Sequence, residues 1–225
     1  AFTNNKFEFR MVGSSDSIAP PNVVLNTIVA EAFKEAADEL EEAEDFDTAV
    51  HDMIKELLSN HRRIIFNGNG YSKAWIEEAK RRGLPNIHSM VDSIPALTTE
   101  KAVKLYEEFG VFTRAELESR AEVEYEAYSK AINIEARTMI DMAGKQIIPA
   151  VIKYTAQLAD ALGKIKAACP EADVSVQTEL LLETSALLSD LKVALAALTA
   201  ATEQSLAETC ACACAHAYHE KVVPA

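Results

Sequence analysis

The chain has 225 residues, 49% of them apolar and 25% charged, enough for one or two domains with a sizeable core. Its 35 acidic against 22 basic side chains leave a net charge of −13, which argues against nucleic acid or an anionic membrane as partner. No apolar run is long enough to span a bilayer, no signal peptide is evident, and four cysteines, three of them in Cys210-Ala211-Cys212-Ala213-Cys214, suit a reducing cytosol better than a disulfide framework.

Seven glycines and seven prolines are few for this length, and Ala, Leu, Glu and Lys abound, so most of the chain is expected to be helical. The start is different. Asn5-Lys6-Phe7-Glu8-Phe9-Arg10-Met11 has the two-residue period of a strand, with Phe7, Phe9 and Met11 on one face and Lys6, Glu8 and Arg10 on the other. A carboxylate flanked by two cations stays ionised and can ligate a hard divalent ion, and an arginine fork grips phosphate. That face therefore suits phosphate chemistry. It also describes the solvated face of an amphipathic strand, the reading that spacing alone favours without deciding the matter.

A polar turn leads into a helix over 21–40, with Pro21 in its first turn and Val24, Leu25, Ile28, Val29 and Ala32 as its apolar stripe. It runs out in the acidic stretch 38–45, which reads as a solvated helix face. A second helix starts near Asp47 as N-cap, with Val50, Ile54, Leu57 and Leu58 at helical spacing and Arg62 and Arg63 opposing its dipole. Phe66-Asn67-Gly68-Asn69-Gly70-Tyr71-Ser72 could hold an anion on free amides, but it lacks the Gly-Lys-Ser/Thr ending of a phosphate loop. It reads as a turn with Asn and Gly in left-handed conformations, capped by Ser72. Trp75, Ile76 and Ala79 mark a short helix ending at Gly83, and 84–97 reads as a connector with at most one helical turn. Thr98 or Thr99 caps the next helix, which carries Ala102, Val103, Leu105 and Tyr106 and stops at Gly110.

Thr113 and Glu116 then form a capping box, with Phe112 and Leu117 as the hydrophobic staple around it. Over 114–163 only Pro149 interrupts the helical pattern, and a kink is expected there; unbroken, the helix would extend about 75 Å. A break over 163–173 precedes a last helix over 174–218, whose apolar positions include Leu180, Leu187, Leu191 and Leu198. Two long helices joined by a short loop fold back as an antiparallel pair, and stripes this wide need further contacts. The fold class expected is mainly α: a helical bundle with a long antiparallel hairpin, preceded by one short β-strand. On one helix Cys212, His216 and His219 share a face and could offer soft ligands to zinc. Cys210, Cys212 and Cys214 depart from Cys-x-x-Cys spacing, however, and cysteine among alanines also behaves as a small buried hydrophobe. Tyr125, Tyr128, Tyr154, Met139 and Met142 read as core packing.

Lys6-Phe7-Glu8-Phe9-Arg10-Met11-Val12-Gly13-Ser14-Ser15 and Pro21-Asn22-Val23-Val24-Leu25-Asn26-Thr27 resemble the end of the catalytic domain of the glutamine synthetases, in the wording of the type III branch. The resemblance continues through Ile65-Phe66-Asn67-Gly68-Asn69-Gly70-Tyr71-Ser72, Gly110-Val111-Phe112-Thr113-Arg114-Ala115-Glu116-Leu117 and Ile132-Asn133-Ile134-Glu135-Ala136-Arg137 to the last residues. It covers nearly the whole chain. Type III synthetases are much longer, so the resemblance implies their C-terminal portion, cut at both ends. Its regions would be the terminal strand and turn of the catalytic barrel domain (1–20), a short-helix region (21–112) and the long helical hairpin (113–225).

The family's Glu-x-Arg motif falls on Glu8 and Arg10. The resemblance implies that Glu8 ligates an active-site metal and that Arg10 contacts the phosphoryl group passed from ATP to glutamate. Lys6 stands where other branches carry a basic residue near the nucleotide phosphates. The implied activity is cytoplasmic, ATP-dependent amide formation from glutamate and ammonia through γ-glutamyl phosphate, with Mg2+ or Mn2+, in stacked hexameric rings. The other metal ligands and most of the ATP pocket lie upstream in the family. The 225 residues alone are therefore expected to be inactive and to bind neither metal nor nucleotide, their partner being the rest of the synthetase chain. The competing reading is a non-catalytic helical module for protein interaction or oligomerisation.

Overall fold

The computed structural model of the protein describes residues 17–225, and with them the backbone of two short strands, Phe2–Thr3 (β1) and Lys6–Phe7 (β2). β1 and β2 pair antiparallel, with Phe2 opposite Phe7 and Thr3 opposite Lys6. Everything else that is regular among the described residues is helical, so the mainly α expectation holds. The chain divides into two units. One runs through Asn86 and resumes over Thr99–Arg114; the other comprises Ile87–Thr98 and Ala115–Ala225.

The first unit holds α1 (Ala19–Glu41), α2 (Phe46–Asn60), α3 (Lys73–Arg81) and α5 (Glu100–Glu108), with α1 packed on both α2 and α5. A proline at the start of α1 fits because first-turn amides have no helical acceptor. α2 is capped by Asp45, not by Asp47. Asp45 is extended (φ −121°, ψ 101°), and its carboxylate accepts from the Thr48 amide and hydroxyl. Ser72 caps α3 by accepting from the Trp75 amide at 3.2 Å, and Thr99 caps α5 through the Ala102 amide, also at 3.2 Å. Gly83 and Gly110 end α3 and α5 at φ +69° and +62°, the left-handed conformation that closes a helix most easily with glycine. An ion pair between Lys34 and Glu108 joins α1 to α5. Burial is sparse. Val24, Ile28, Val29 and Phe33 of α1 remain exposed, and α2 has no buried residue.

The second unit begins with α4 (Met90–Ser93) and a 3-10 turn, Ile94–Thr98. The connector over 84–97 is more than a connector: Val91 and Ile94 pack with Ala121, Tyr125 and Ala215 in one core cluster. α6 (Arg114–Met142) starts directly after Thr113, as the capping-box spacing requires, with Glu116 in its first turn. At Pro149 the chain relieves the missing donor with a π-helical turn, Ala143–Ile147, after which α7 (Ile148–Ala168) carries Pro149 in its first turn. α7 runs straight through Gly163, where a break was expected. A single interior glycine costs only about 1 kcal/mol, and the half-buried Leu162 and Ile165 on either side hold the helix together.

α8 (Ser175–Leu206) returns antiparallel along α7. The continuous helix expected over 174–218 is interrupted. Cys210 is extended (φ −93°, ψ 130°), and a separate α9 (Ala211–Ala217) with a π-helical turn, Tyr218–Val222, packs back on α8. This reversal builds the second core cluster, Ala136, Leu198, Tyr218 and Val222. Among the described residues no helix is long and apolar enough to cross a membrane.

Candidate functional site

Of the three residues assigned to phosphate chemistry, Glu8 and Arg10 lie outside the described residues. Lys6 is placed by its backbone alone, in β2 opposite Thr3.

The Phe66–Ser72 segment is a built turn. Asn69 accepts from the Tyr71 amide at 3.0 Å through its side chain, and its carbonyl accepts from the Ser72 hydroxyl at 2.8 Å. The left-handed glycines expected here are absent, since among the described glycines positive φ occurs at Gly83 and Gly110. Gly68 serves a close approach instead: a Cβ there would sit 2.7 Å from Phe66 Cζ. Phe66 stacks on Trp75 with centroids 3.9 Å apart, and the Arg82 guanidinium lies 5.5 Å from the centre of the Trp75 ring. Arg82 also donates to the Arg63 carbonyl at 3.2 Å and the Ile65 carbonyl at 2.8 Å. Its Nε meets Glu78 at 2.6 Å, and Arg81 bonds the same carboxylate twice. The Arg81 and Arg82 guanidinium groups hold the Glu78 carboxyl down at about 2. This arrangement pins the turn by aromatic and arginine contacts and aims no free cation at an anion.

The cysteines and histidines near the C-terminus do not converge. The Cys214 thiol donates to the Ser205 carbonyl at 3.5 Å, His216 faces Tyr125 at a centroid distance of 6.3 Å, and His219 Nδ1 lies 3.2 Å from the Tyr128 hydroxyl. Cys210 is exposed, and Cys212 packs against the cluster around Tyr125. Among the described residues, no three His, Cys, Asp or Glu side chains are placed to hold one metal ion. Burial and a hydrogen bond with Cys212 push the Tyr125 phenol up to about 12, and burial raises Tyr128 and Tyr218 as well. Tyr125 and Tyr128 are thus core residues, whereas Tyr154, Met139 and Met142 are exposed and do not pack as expected.

A cavity of about 300 Å³ lies between α6 and the fold-back. Glu122, Glu126, Asn133, Glu208, Cys210 and Tyr218 are among its walls. Sequence reading missed it because the break at Cys210 brings distant positions together. Lys130 neutralises Glu126 at 2.6 Å, and Asn133 Oδ1 accepts from both Tyr218 and Arg137.

Residues 49–166 match the family described as the glutamine synthetase C-terminal domain. The chain is 40% identical over 168 residues to the type-3 glutamine synthetase of Dictyostelium discoideum, covering 73% of this chain and 23% of that protein. It is 37% identical over 167 residues to a glutamine synthetase of Butyrivibrio fibrisolvens, covering 70% and 23%. With a glutamine synthetase of Bacteroides fragilis (strain YCH46) it shares 34% identity over 201 residues, covering 86% and 28%. The chain spans about a quarter of the length of these curated relatives.

Proposed function

Because the chain belongs to the glutamine synthetase family, we propose that it forms the C-terminal domain of a type III glutamate–ammonia ligase. The observation that carries this reading is the match of more than half the chain to the family's C-terminal domain. The parent enzyme would couple ATP cleavage to amide formation. A glutamate carboxylate oxygen takes the γ-phosphoryl group, ADP leaves, and ammonia then displaces phosphate from γ-glutamyl phosphate.

Only the N-terminal segment with Lys6, Glu8 and Arg10 would touch that chemistry. Arg10 would bond the phosphoryl oxygens as charge builds on them, and Lys6 would lie near the nucleotide phosphates. Glu8 supplies one carboxylate, which suits Mg2+ or Mn2+ as part of a ligand set, since such ions are held by one or two carboxylates with water and phosphate oxygens. The bound metal would supply charge neutralisation for the transferring phosphoryl group. One carboxylate does not make a site, so the rest must come from elsewhere in the parent.

The helices would then be scaffold. The sparse burial of α1 and α2 supports contact with the remainder of the synthetase, and the same reading gives the parent a ring-forming oligomer in the cytoplasm. Incubating the purified 225-residue chain with glutamate, ATP, ammonium and Mg2+ tests the division of labour. No glutamine is expected, and measurable turnover by this chain alone would overturn it.

A further inference from the structure

The cysteines and histidines after α8 do not gather round one metal ion, yet two of the thiols open on one cavity. Cys210 and Cys214 both line the space of about 300 Å³ between α6 and the fold-back. Cys210 is exposed and Cys214 is half-buried. The Cys214 amide donates to the Cys210 carbonyl at 2.8 Å, which sets the two residues one helical turn apart. One turn separates their Cα atoms by about 6 Å, inside the roughly 4.4–6.8 Å that disulfides span.

The backbone at Cys210 turns its side chain toward its partner. Between two fully helical residues four apart, parallel Cα–Cβ bonds would keep the thiols a whole turn apart. Cys210 is instead extended (φ −93°, ψ 130°) at the N-cap of α9, and its thiol makes no capping bond. A side chain in that position folds forward over the first turn, where a serine would meet the second or third amide. Cys214 lies within α9, and its Cα–Cβ bond tilts back toward the helix N-terminus. The two side chains therefore lean toward each other.

The other two cysteines are placed differently. Cys212 lies about 200° round α9 from Cys214 and packs against the core cluster of Tyr125. Cys169 ends α7 at the far end of the hairpin, and the 32 residues of α8, about 48 Å, separate it from Cys210.

From the shared cavity, the one-turn spacing and the extended backbone at Cys210, we propose that Cys210 and Cys214 are a peroxide-sensitive thiol pair that closes reversibly to a disulfide. Cys210, the more exposed, reacts first. Its sulfur, having released its proton, attacks one oxygen of hydrogen peroxide. The O–O bond breaks, and the departing hydroxide takes up a proton to become water. The Cys214 sulfur then attacks the sulfur of the Cys210 sulfenic acid. The S–S bond forms as the S–O bond breaks, and the Cys214 proton leaves with the hydroxyl as a second water. Two thiols have given up two electrons and two protons, and one peroxide has become two waters. A dithiol reductant reopens the bridge by two thiol–disulfide exchanges and is itself oxidised. The Cys214 thiol otherwise donates to the Ser205 carbonyl at 3.5 Å, so closure also removes a tie between α9 and α8. This inference does not rest on the ligase assignment.

The test treats the fully reduced 225-residue chain with a small excess of hydrogen peroxide, unfolds it, alkylates the free thiols and reads the intact mass. The untreated chain takes four alkyl groups, one per cysteine, and the treated chain is expected to take two and to be lighter by two hydrogens before alkylation. Dithiothreitol is expected to restore all four. Cys212→Ser and Cys169→Ser are each expected to form the same internal disulfide and to drop from three groups to one. Cys210→Ser, at an exposed position where circular dichroism should not change, is expected to form no internal disulfide, and so is Cys214→Ser. Four alkyl groups after treatment, a disulfide that persists in Cys210→Ser or vanishes in Cys212→Ser, or a covalent dimer in place of the internal bridge would each overturn the proposal.

Discussion

The Tyr218 hydroxyl donates to Asn133 Oδ1 at 3.1 Å, tying the C-terminal turn to α6 across 85 residues of sequence. The ring itself is almost wholly buried. Two contributions can therefore be separated by substitution. Tyr218→Phe keeps the ring and loses one hydrogen bond, a cost of about 1 kcal/mol, with Arg137 still bonded to Asn133. Tyr218→Ala leaves a cavity and is expected to cost about 3–5 kcal/mol. Urea unfolding of the chain measures both, and equal losses would contradict the packing described.

Tyr125 makes the second unit sensitive to alkali. Its phenol sits at about 12 in the fold against 10.0 ordinarily, so the fold favours the neutral form. The stability this represents is full below pH 10 and is lost as pH rises toward 12. Tyr125→Phe is expected to shrink the fall in stability between pH 10 and 12 without removing it, because burial also raises Tyr128 and Tyr218. An identical alkaline profile for wild type and variant would count against this cause.

Ser205 is fully buried in α8, and its hydroxyl has no hydrogen-bond partner among the described residues. Neighbouring hydroxyls do better: Thr199 and Thr202 each bond the carbonyl four residues back. Removing an unsatisfied buried hydroxyl relieves its desolvation cost, so Ser205→Ala is expected to stabilise the chain by about 1 kcal/mol. A loss of similar size would show that the hydroxyl is satisfied after all.

Glu78 holds both Arg81 and Arg82, and Arg82 in turn fastens the turn before Trp75. Its carboxyl is depressed from 4.5 to about 2, so the clamp is full above 4.5, persists below the ordinary carboxylate range and is lost as pH falls through about 2. Trp75 is the one tryptophan and reports this directly. Its fluorescence is expected to hold between pH 7 and 4 and to change near 2, whereas Glu78→Gln shows the released signal already at neutral pH.

Local rules made much of this fold legible. Ser72 and Thr99 cap where their spacing says, Gly83 and Gly110 close helices, and the hairpin of α7 and α8 follows from leucine periodicity and a short loop. What escaped were features set by tertiary contact. Gly163 stays helical because its neighbours pack, Pro149 is absorbed by a π-helical turn, and the break before α9 has no proline or glycine to announce it. Val91 and Ile94 looked like connector residues because four residues of helix show no periodicity, yet they are core. For the candidate site, Lys6, Glu8 and Arg10 were picked out by alternation and family wording, and Glu8 and Arg10 lie outside the described residues. On the proposed reading their surroundings would come from segments upstream in the parent, which no pattern within these 225 residues can supply.

The central claim is that this chain brings a metal-binding carboxylate and a phosphoryl-binding guanidinium to a ligase assembled with upstream segments. Steady-state glutamine formation by the parent enzyme carrying Arg10→Ala or Glu8→Gln tests it most directly. Each substitution is expected to lower kcat by about 10²–10³, the usual loss when one charge-stabilising donor is removed, with helicity unchanged. Glu8→Gln should also raise the Mg2+ concentration needed for half-maximal rate. Wild-type kcat and unaltered metal dependence in both variants would contradict the claim.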